Sequence, residues 1–354
     1  MQKVLLKLIL IAAIIASSMV AVIYIQNKNN YVIDQFVQAV EANDFDKMKE
    51  LFLMDEAIKL DEISLNNFLQ YLHTNEEKLQ FIEKSLSEQM DREGSDANTA
   101  VQLHVKEKRY GLIPTYQLQL QPTYLHIENV DEESLEVKWD HGIVINKHPD
   151  KPIYGPLFPG EHLIHIQFEN DLGMFQFQEE ITVWDEKSLS INVVEEEVVT
   201  EDEHIREKLF EISALFSKLF IEYSINNDLH DELLSNWNDR LTQSIRRYSE
   251  VIDQDERLNF VQAIFDEESF GVMKIDERWH AELRLISTYE KQSNNNEQEH
   301  LLFTIDFIYD EFIDEWVINN FALDYTEQSI IDLWDSSIHI DREDLNNNQL
   351  ELTL

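Results

Sequence analysis

The spacing of apolar and polar residues changes four times along this chain, and each change marks the start of a different kind of segment. From Leu8 to Ile25 eighteen residues run without a charge, and Val4, Leu5 and Leu6 extend the run beyond Lys7. At about 1.5 Å per residue such a helix crosses the ~30 Å hydrocarbon core of a bilayer. The small residues Ala16, Ser17 and Ser18 sit in the middle of the run, not at its end, so an uncleaved anchor is expected over a cleaved signal peptide. Lys3 and Lys7 precede the run and only Lys28 closely follows it. The positive-inside tendency then leaves the N-terminus in the cytoplasm and exports the bulk. Residues 1–30 are read as the anchor, with residues 4–25 meeting the lipid bilayer.

Beyond residue 30 the apolar period becomes 3.6. Ile33, Phe36, Val37 and Val40 share one face, and Asn43-Asp44 breaks the run. Phe45, Met48, Leu51 and Phe52 mark a second helix. Leu65, Phe68, Leu69 and Leu72, capped from Ser64, mark a third, and Leu79, Ile82, Leu86 and Met90 a fourth. Each stripe is narrow, so these helices must pack on one another as a helical domain over 31–99. Asp91 to Asn98 is polar and reads as a linker or loop.

From about Ala100 the period falls to 2. Val101, Leu103 and Val105 alternate with polar residues, as do Tyr116, Leu118 and Leu120, and Leu135, Val137 and Trp139. All six prolines fall between positions 114 and 159, where strands reverse. Tyr154 to Gly160 is a double turn signal. The strand Glu161–Phe168 follows, and Asn170-Asp171-Leu172-Gly173 turns it into a second strand. Residues 100–196 therefore read as one or two β-sandwich-like modules.

Glu195 to Glu203 reads as an acidic hinge. A long amphipathic helix follows with Ile205, Leu209, Ile212, Phe216, Leu219 and Tyr223, and helical patterns continue to about Phe265. Trp279, Ala281, Leu283, Leu285, Ser287 and Tyr289 then alternate, followed by Leu301, Phe303, Ile305, Phe307 and Tyr309, and by the strand Glu315 to Leu323. Helices followed by an antiparallel meander are the order of a nuclear transport factor 2-like cone, placed at 203–325. Residues 326–354 form an acidic, Asn-rich tail expected to be loosely held. The expected fold is a multidomain α+β chain: a single N-terminal transmembrane helix, a small helical domain, β-sandwich-like modules and a C-terminal cone.

Charge narrows the partners. The chain has 28 Lys and Arg against 70 Asp and Glu, a net charge of −42. The first 30 residues hold three Lys and no acid, so the remainder carries −45. Such a surface repels nucleic acid, whose phosphates need clustered bases, and it steers toward cationic partners. The even spread of acid along the chain also fits a simple need for solubility outside the cell. With no Cys there is neither a disulfide framework nor a lipoprotein anchor.

No catalytic constellation stands out: there is no phosphate loop, nucleophile elbow or zinc-protease helix. His141, His148, His162 and His165 lie close in sequence, but His162 and His165 are three apart on a strand and point to opposite faces. Asp253, Asp255 and Glu256 lack the glycine and later Glu of a calcium loop. Asp306, mid-strand with Thr304 and Ile308 on its face, is the one candidate for proton transfer, were it buried in a pocket. Tyr223 and Trp279 read as core. No catalytic, cofactor-binding or metal residue is assigned, and no cofactor is expected. If the cone housed a ligand it would be open and apolar; filling by Leu283, Phe303, Ile305 and Phe321 would argue against that.

The order of parts resembles the TcaA/YvbJ family of Firmicutes membrane-associated proteins. The resemblance rests on Phe36-Val37-Gln38-Ala39-Val40-Glu41-Ala42-Asn43-Asp44, on Gly155-Pro156-Leu157-Phe158-Pro159-Gly160-Glu161-His162 with its Phe168–Gly173 hairpin, and on Trp316-Val317-Ile318-Asn319. It implies a cell-envelope protein, single-pass with an extracellular bulk, that acts without catalysis in wall homeostasis or in the response to wall-active glycopeptide antibiotics. The implied partner is a cell-wall component or another envelope protein. Members of the family typically carry a cytoplasmic zinc ribbon before the span; with no Cys here, no metal-sensing role is expected to carry over. The rival expectation is an exported small-molecule-binding or catalytic protein that uses the cone cavity.

Overall fold

The computed structural model describes residues 17, 31–54, 60–91, 99–109, 113–130, 134–139, 143–145, 147, 153–226, 239–249, 258–291, 297–326, 330, 334 and 336–347. Apart from Ser17, the apolar run Leu8–Ile25 lies outside them. Among the described residues no helix is long and apolar enough to cross a membrane. The chain is mixed α+β and divides into two units, one built from residues up to 170 together with 176–193, the other from 171–175 and everything from 194 on.

The first unit begins with four helices: α1 (31–41), α2 (Phe45–Leu51), α3 (Glu62–Thr74) and α4 (Glu76–Asp91). Asn43 takes a left-handed φ of 50° and ends α1. The Asp44 side chain then accepts from the Lys47 amide and caps α2. The cap of α3 is Asp61, which accepts from the Ser64 amide at 2.7 Å. Ser64, expected to be the cap, lies buried inside the first turn. The apolar stripes meet as predicted: Phe52 stands edge-on between Phe36 and Phe68, with centroids at 6.1 and 5.9 Å.

The hairpin β1 (Val101–Arg109) and β2 (Ile113–Leu120) is part of this core. Val101, Leu118 and Leu120 belong to the same buried cluster as the helices, and the Leu53 amide donates to the Leu118 carbonyl at 2.8 Å. Gln89 of α4 donates to the Val101 carbonyl and accepts from the Leu103 amide, so one buried side chain satisfies both ends of the junction.

Among the described residues two further sheets belong to the unit. β3 (Thr123–Glu128) lies between β6 (Tyr154–Leu157) and β9 (Ser188–Asn192). The other sheet runs β5 (Ile143–Val144), β4 (Glu136–Trp139), β7 (Gly160–Asn170), β8 (Gly173–Val183). The β3–β9 pairing is parallel, across more than sixty residues of chain. Along β7 alternation puts His162, Ile164, Ile166 and Phe168 inward. Phe158, just before β7, and Trp184, just after β8, both enter the helical cluster. Gly160, at φ 149°, lies close to the backbone of Asn67 in α3; only glycine reaches this conformation without strain.

The second unit opens with α5 (Glu195–Glu201) and α6 (Glu203–Asn226). The expected acidic hinge is thus a helix: Glu195, Glu196 and Glu197 sit in its first turn, where the helix dipole favours anions, and Val199 is fully buried. After α7 (Asp239–Ser249) come β10 (Leu258–Ile275), β11 (Arg278–Lys291), β12 (Gln298–Asp310) and β13 (Glu315–Thr326), then β14 (Ser337–Asp341) and α8 (Arg342–Asn347). The five strands form one antiparallel sheet in the order β13-β12-β11-β10-β14.

Two expectations change here. The helical pattern read up to Phe265 is strand from Leu258 on. Irregularities between Phe260 and Gln262, and between Asp266 and Gly271, shift the register and so break the period-2 signal. The tail is also held in part, because Gln262–Asp266 pairs with Ser337–Asp341.

Candidate functional site

The inner face of the five-stranded sheet is filled. Leu283, Phe303 and Ile305 are fully buried and Phe321 is 3% exposed. Phe220 of α6 puts its ring edge-on to Phe303 at 5.8 Å and to Phe321 at 5.2 Å, and Phe216 meets Phe321 at 5.1 Å. Two hydroxyls in this layer are paired through Ser217, whereas the indole Nε1 of Trp279 is buried without a hydrogen-bond partner among the described residues. Tyr289 donates to the Ser217 carbonyl at 2.8 Å, and the Ser287 hydroxyl donates to that of Ser217 at 2.7 Å. The small Ser217 lets α6 approach the sheet closely while its hydrogen bonds offset the cost of burial.

Asp306 lies on the opposite face of β12 from Phe303, Ile305 and Phe307, because successive residues alternate. Its carboxylate accepts from the side-chain Nδ2 of Asn319 at 2.6 Å, with His280 Nδ1 3.7 Å away. It is partly exposed and does not project into the core. Trp279 is core as expected, with Lys274 Nζ 5.2 Å from its ring centroid. The side chain of Tyr223 lies outside the described residues.

The remaining sequence candidates do not converge. His162 and His165 do point to opposite faces: His162 is buried, its Nε2 2.7 Å from the Phe158 carbonyl and its ring edge-on to Trp139 at 5.1 Å, while His165 is half-exposed. That contact fixes the Phe158 turn. His141, His148, Asp253, Asp255 and Glu256 lie outside the described residues. Among the described residues no three His, Asp or Glu groups approach closely enough to hold a metal.

The feature that does look built to receive something is a groove of about 480 Å³ in the second unit. One wall is α6, which contributes Glu203, Arg206, Glu207, Phe210 and Glu211. The other is Ile338 and Ile340 of β14 with Asp344 and Leu345 of α8. The spacing i, i+3, i+4, i+7, i+8 puts the α6 residues on one helical face. Residues 338 and 340, two apart on a strand, share one side of the sheet. Phe210 is held in place by stacking on Phe265 at 4.5 Å and by the edge of Phe270 at 5.6 Å. Four carboxylates thus surround an apolar floor with one guanidinium, and Arg206 Nε is buried without a hydrogen-bond partner among the described residues. The lining offers charge and apolar surface rather than a nucleophile with a base.

Sequence reasoning missed this groove. The α6 half was visible as an acidic stripe at four-residue spacing, but its other half comes from the tail expected to be loose.

Among the described residues three groups carry shifted proton affinities. Burial, with Asp314 accepting its hydrogen bond, pushes the Tyr309 phenol well up. Burial and then the Glu161 carboxylate raise that of Tyr71. Burial lowers the His300 imidazole below its ordinary 6.5.

Residues 29–120 match the family model of the TcaA protein second domain. The match bears out the resemblance read from Phe36–Asp44 and covers α1 to α4 with the β1–β2 hairpin, the parts that share one hydrophobic cluster. Neither the curated proteins nor the solved structures give a match.

Proposed function

We propose that this chain, which carries a TcaA second domain, is a single-span, membrane-anchored extracytoplasmic protein that acts without catalysis in cell-envelope homeostasis or in the response to wall-active glycopeptide antibiotics. The observation that carries the reading is the placement of that domain at 29–120, directly after the apolar run Leu8–Ile25. A helical domain whose match begins three residues after a bilayer-length segment, beyond residues 26–28, is a surface presented close to the membrane. Its partner is a cell-wall component or another envelope protein.

We read the second unit as the cone of a nuclear transport factor 2-like domain, from the long helix α6 laid against the meander β10–β13. The filled interior described above supports an interaction role for it over a small-molecule cavity. The acidity of the chain supports cationic rather than anionic partners.

The test is deletion of the gene followed by titration of glycopeptides, alongside protease treatment of intact cells. A shift in the inhibitory concentration, restored by the full-length gene, and digestion of the chain beyond residue 30 are the expected results. Unchanged susceptibility removes the antibiotic role, and a protected bulk reverses the topology.

A further inference from the structure

The groove between α6 and the β14–α8 segment pairs charge with apolar surface in a pattern that suits one class of ligand. Glu203, Glu207 and Glu211 recur every four residues along α6, so their carboxylates rise in steps of about 6 Å. Asp344 adds a fourth from α8, and Arg206 is the one base in the lining. Beneath them lie Phe210, Ile338, Ile340 and Leu345. The volume, about 480 Å³, falls within the roughly 300–1,000 Å³ of ligand-binding clefts.

We propose that this groove binds a cationic amphipathic peptide. The peptide lies along α6 with basic side chains at four-residue spacing against the exposed Glu203 and Glu207, and its apolar side chains rest on Ile338 and Ile340, above the buried Phe210 and Leu345. Charge complementarity selects this occupant. An anion would meet four carboxylates and one guanidinium. An uncharged apolar segment would desolvate Glu203 and Glu207 without pairing them, which costs more than it gains.

A chain of net charge −42 attracts any cation, so the test must separate the groove from diffuse attraction. The full chain is placed in nanodiscs of zwitterionic lipid, with empty discs as the blank. The probe is a fluorescein-labelled helical peptide with Lys at i, i+4 and i+8 and Leu on the adjoining face. A scrambled peptide of the same composition and spermine are compared with it by anisotropy. Glu203→Gln with Glu207→Gln changes the groove; Glu76→Gln with Glu77→Gln makes the matching change in the first turn of α4. Ile340→Asn alters the floor, and circular dichroism checks that each variant is folded.

The patterned peptide is expected to bind at least tenfold tighter than the scrambled one. The groove pair should weaken it about fivefold, as the loss of two exposed ion pairs would, and the α4 pair should leave it unchanged. Ile340→Asn should weaken the peptide and not spermine. Equal affinity for the scrambled peptide, equal loss from both Glu pairs, or no effect of Ile340→Asn overturns the proposal, as does an absence of binding.

Discussion

Replacing Phe158 with alanine tests whether the β sheets and the helices of the first unit form one cooperative body. Phe158 precedes β7, is 1% exposed and belongs to the cluster that also contains Phe36, Phe52, Phe68 and Leu72 of the helical part. A buried phenylalanine removes roughly 150–250 Å² from water, about 4–6 kcal/mol at about 25 cal/mol per Å² as an upper bound. Measured Phe→Ala losses in cores run about 3–5 kcal/mol, including the cavity left behind. That is a large share of the ~5–15 kcal/mol that holds a typical domain together. Phe158→Leu keeps most of the volume and should cost under about 1.5 kcal/mol. The assay is urea denaturation by circular dichroism, with hydrogen exchange read segment by segment. In Phe158→Ala the amides of Leu65–Leu72 in α3 and of Ile164–Phe168 in β7 should lose protection together, by roughly two to three orders of magnitude. If β7 opens while α3 keeps its protection, the shared core does not couple the two parts. A total loss below about 1 kcal/mol would refute the packing argument itself.

Three further outcomes are expected. Gly155→Ala should cost about 1–3 kcal/mol, since φ is 151° and an added Cβ would stand 2.9 Å from Tyr124 Cδ1 and 3.1 Å from the Thr123 carbonyl; an unchanged urea midpoint would contradict it. Tyr309→Phe removes the hydrogen bond to Asp314, which holds a turn residue at φ 59°, and should lower stability by about 1–2 kcal/mol; a thermal melt with no shift would remove that bond from the account. His300, whose folded imidazole binds its proton more weakly than the unfolded one, contributes stability present above pH 6.5 and lost as pH falls below it. The urea midpoint of the wild type should therefore drop more than that of His300→Gln between pH 7.5 and 5.5, and parallel drops would show that His300 does not titrate with folding.

Local periodicity carried much of the architecture. The stripes through Phe36, Phe68 and Leu86 became α1, α3 and α4 because a narrow apolar face has one way to hide, against its neighbours. Trp279 to Tyr289 and Leu301 to Tyr309 became β11 and β12 because alternation fits a sheet with one face on the core, although Ile286 and Thr288 are buried on the other face as well. The composition also carried the acid and the bilayer-length run at Leu8–Ile25. Where the backbone departs from a regular period the signal failed: the irregularities in β10 scrambled its alternation, and the glutamates of α5 read as a hinge because only Val199 of that short helix is fully buried.

The remaining features were decided by contacts between residues far apart in the chain. Sequence alone does not say that β3 pairs in parallel with β9, that Phe158 and Trp184 enter the helical core, or that Ser337–Asp341 adds a strand beside β10. Each depends on which distant surfaces meet, and the pattern within either segment is the same whether or not they do. The groove is the clearest case, since neither wall has a cavity until β14 brings Ile338 and Ile340 to the acidic face of α6. The sequence by itself determined which faces were apolar and which were charged; the tertiary structure determined which of them were covered and which were left facing a space.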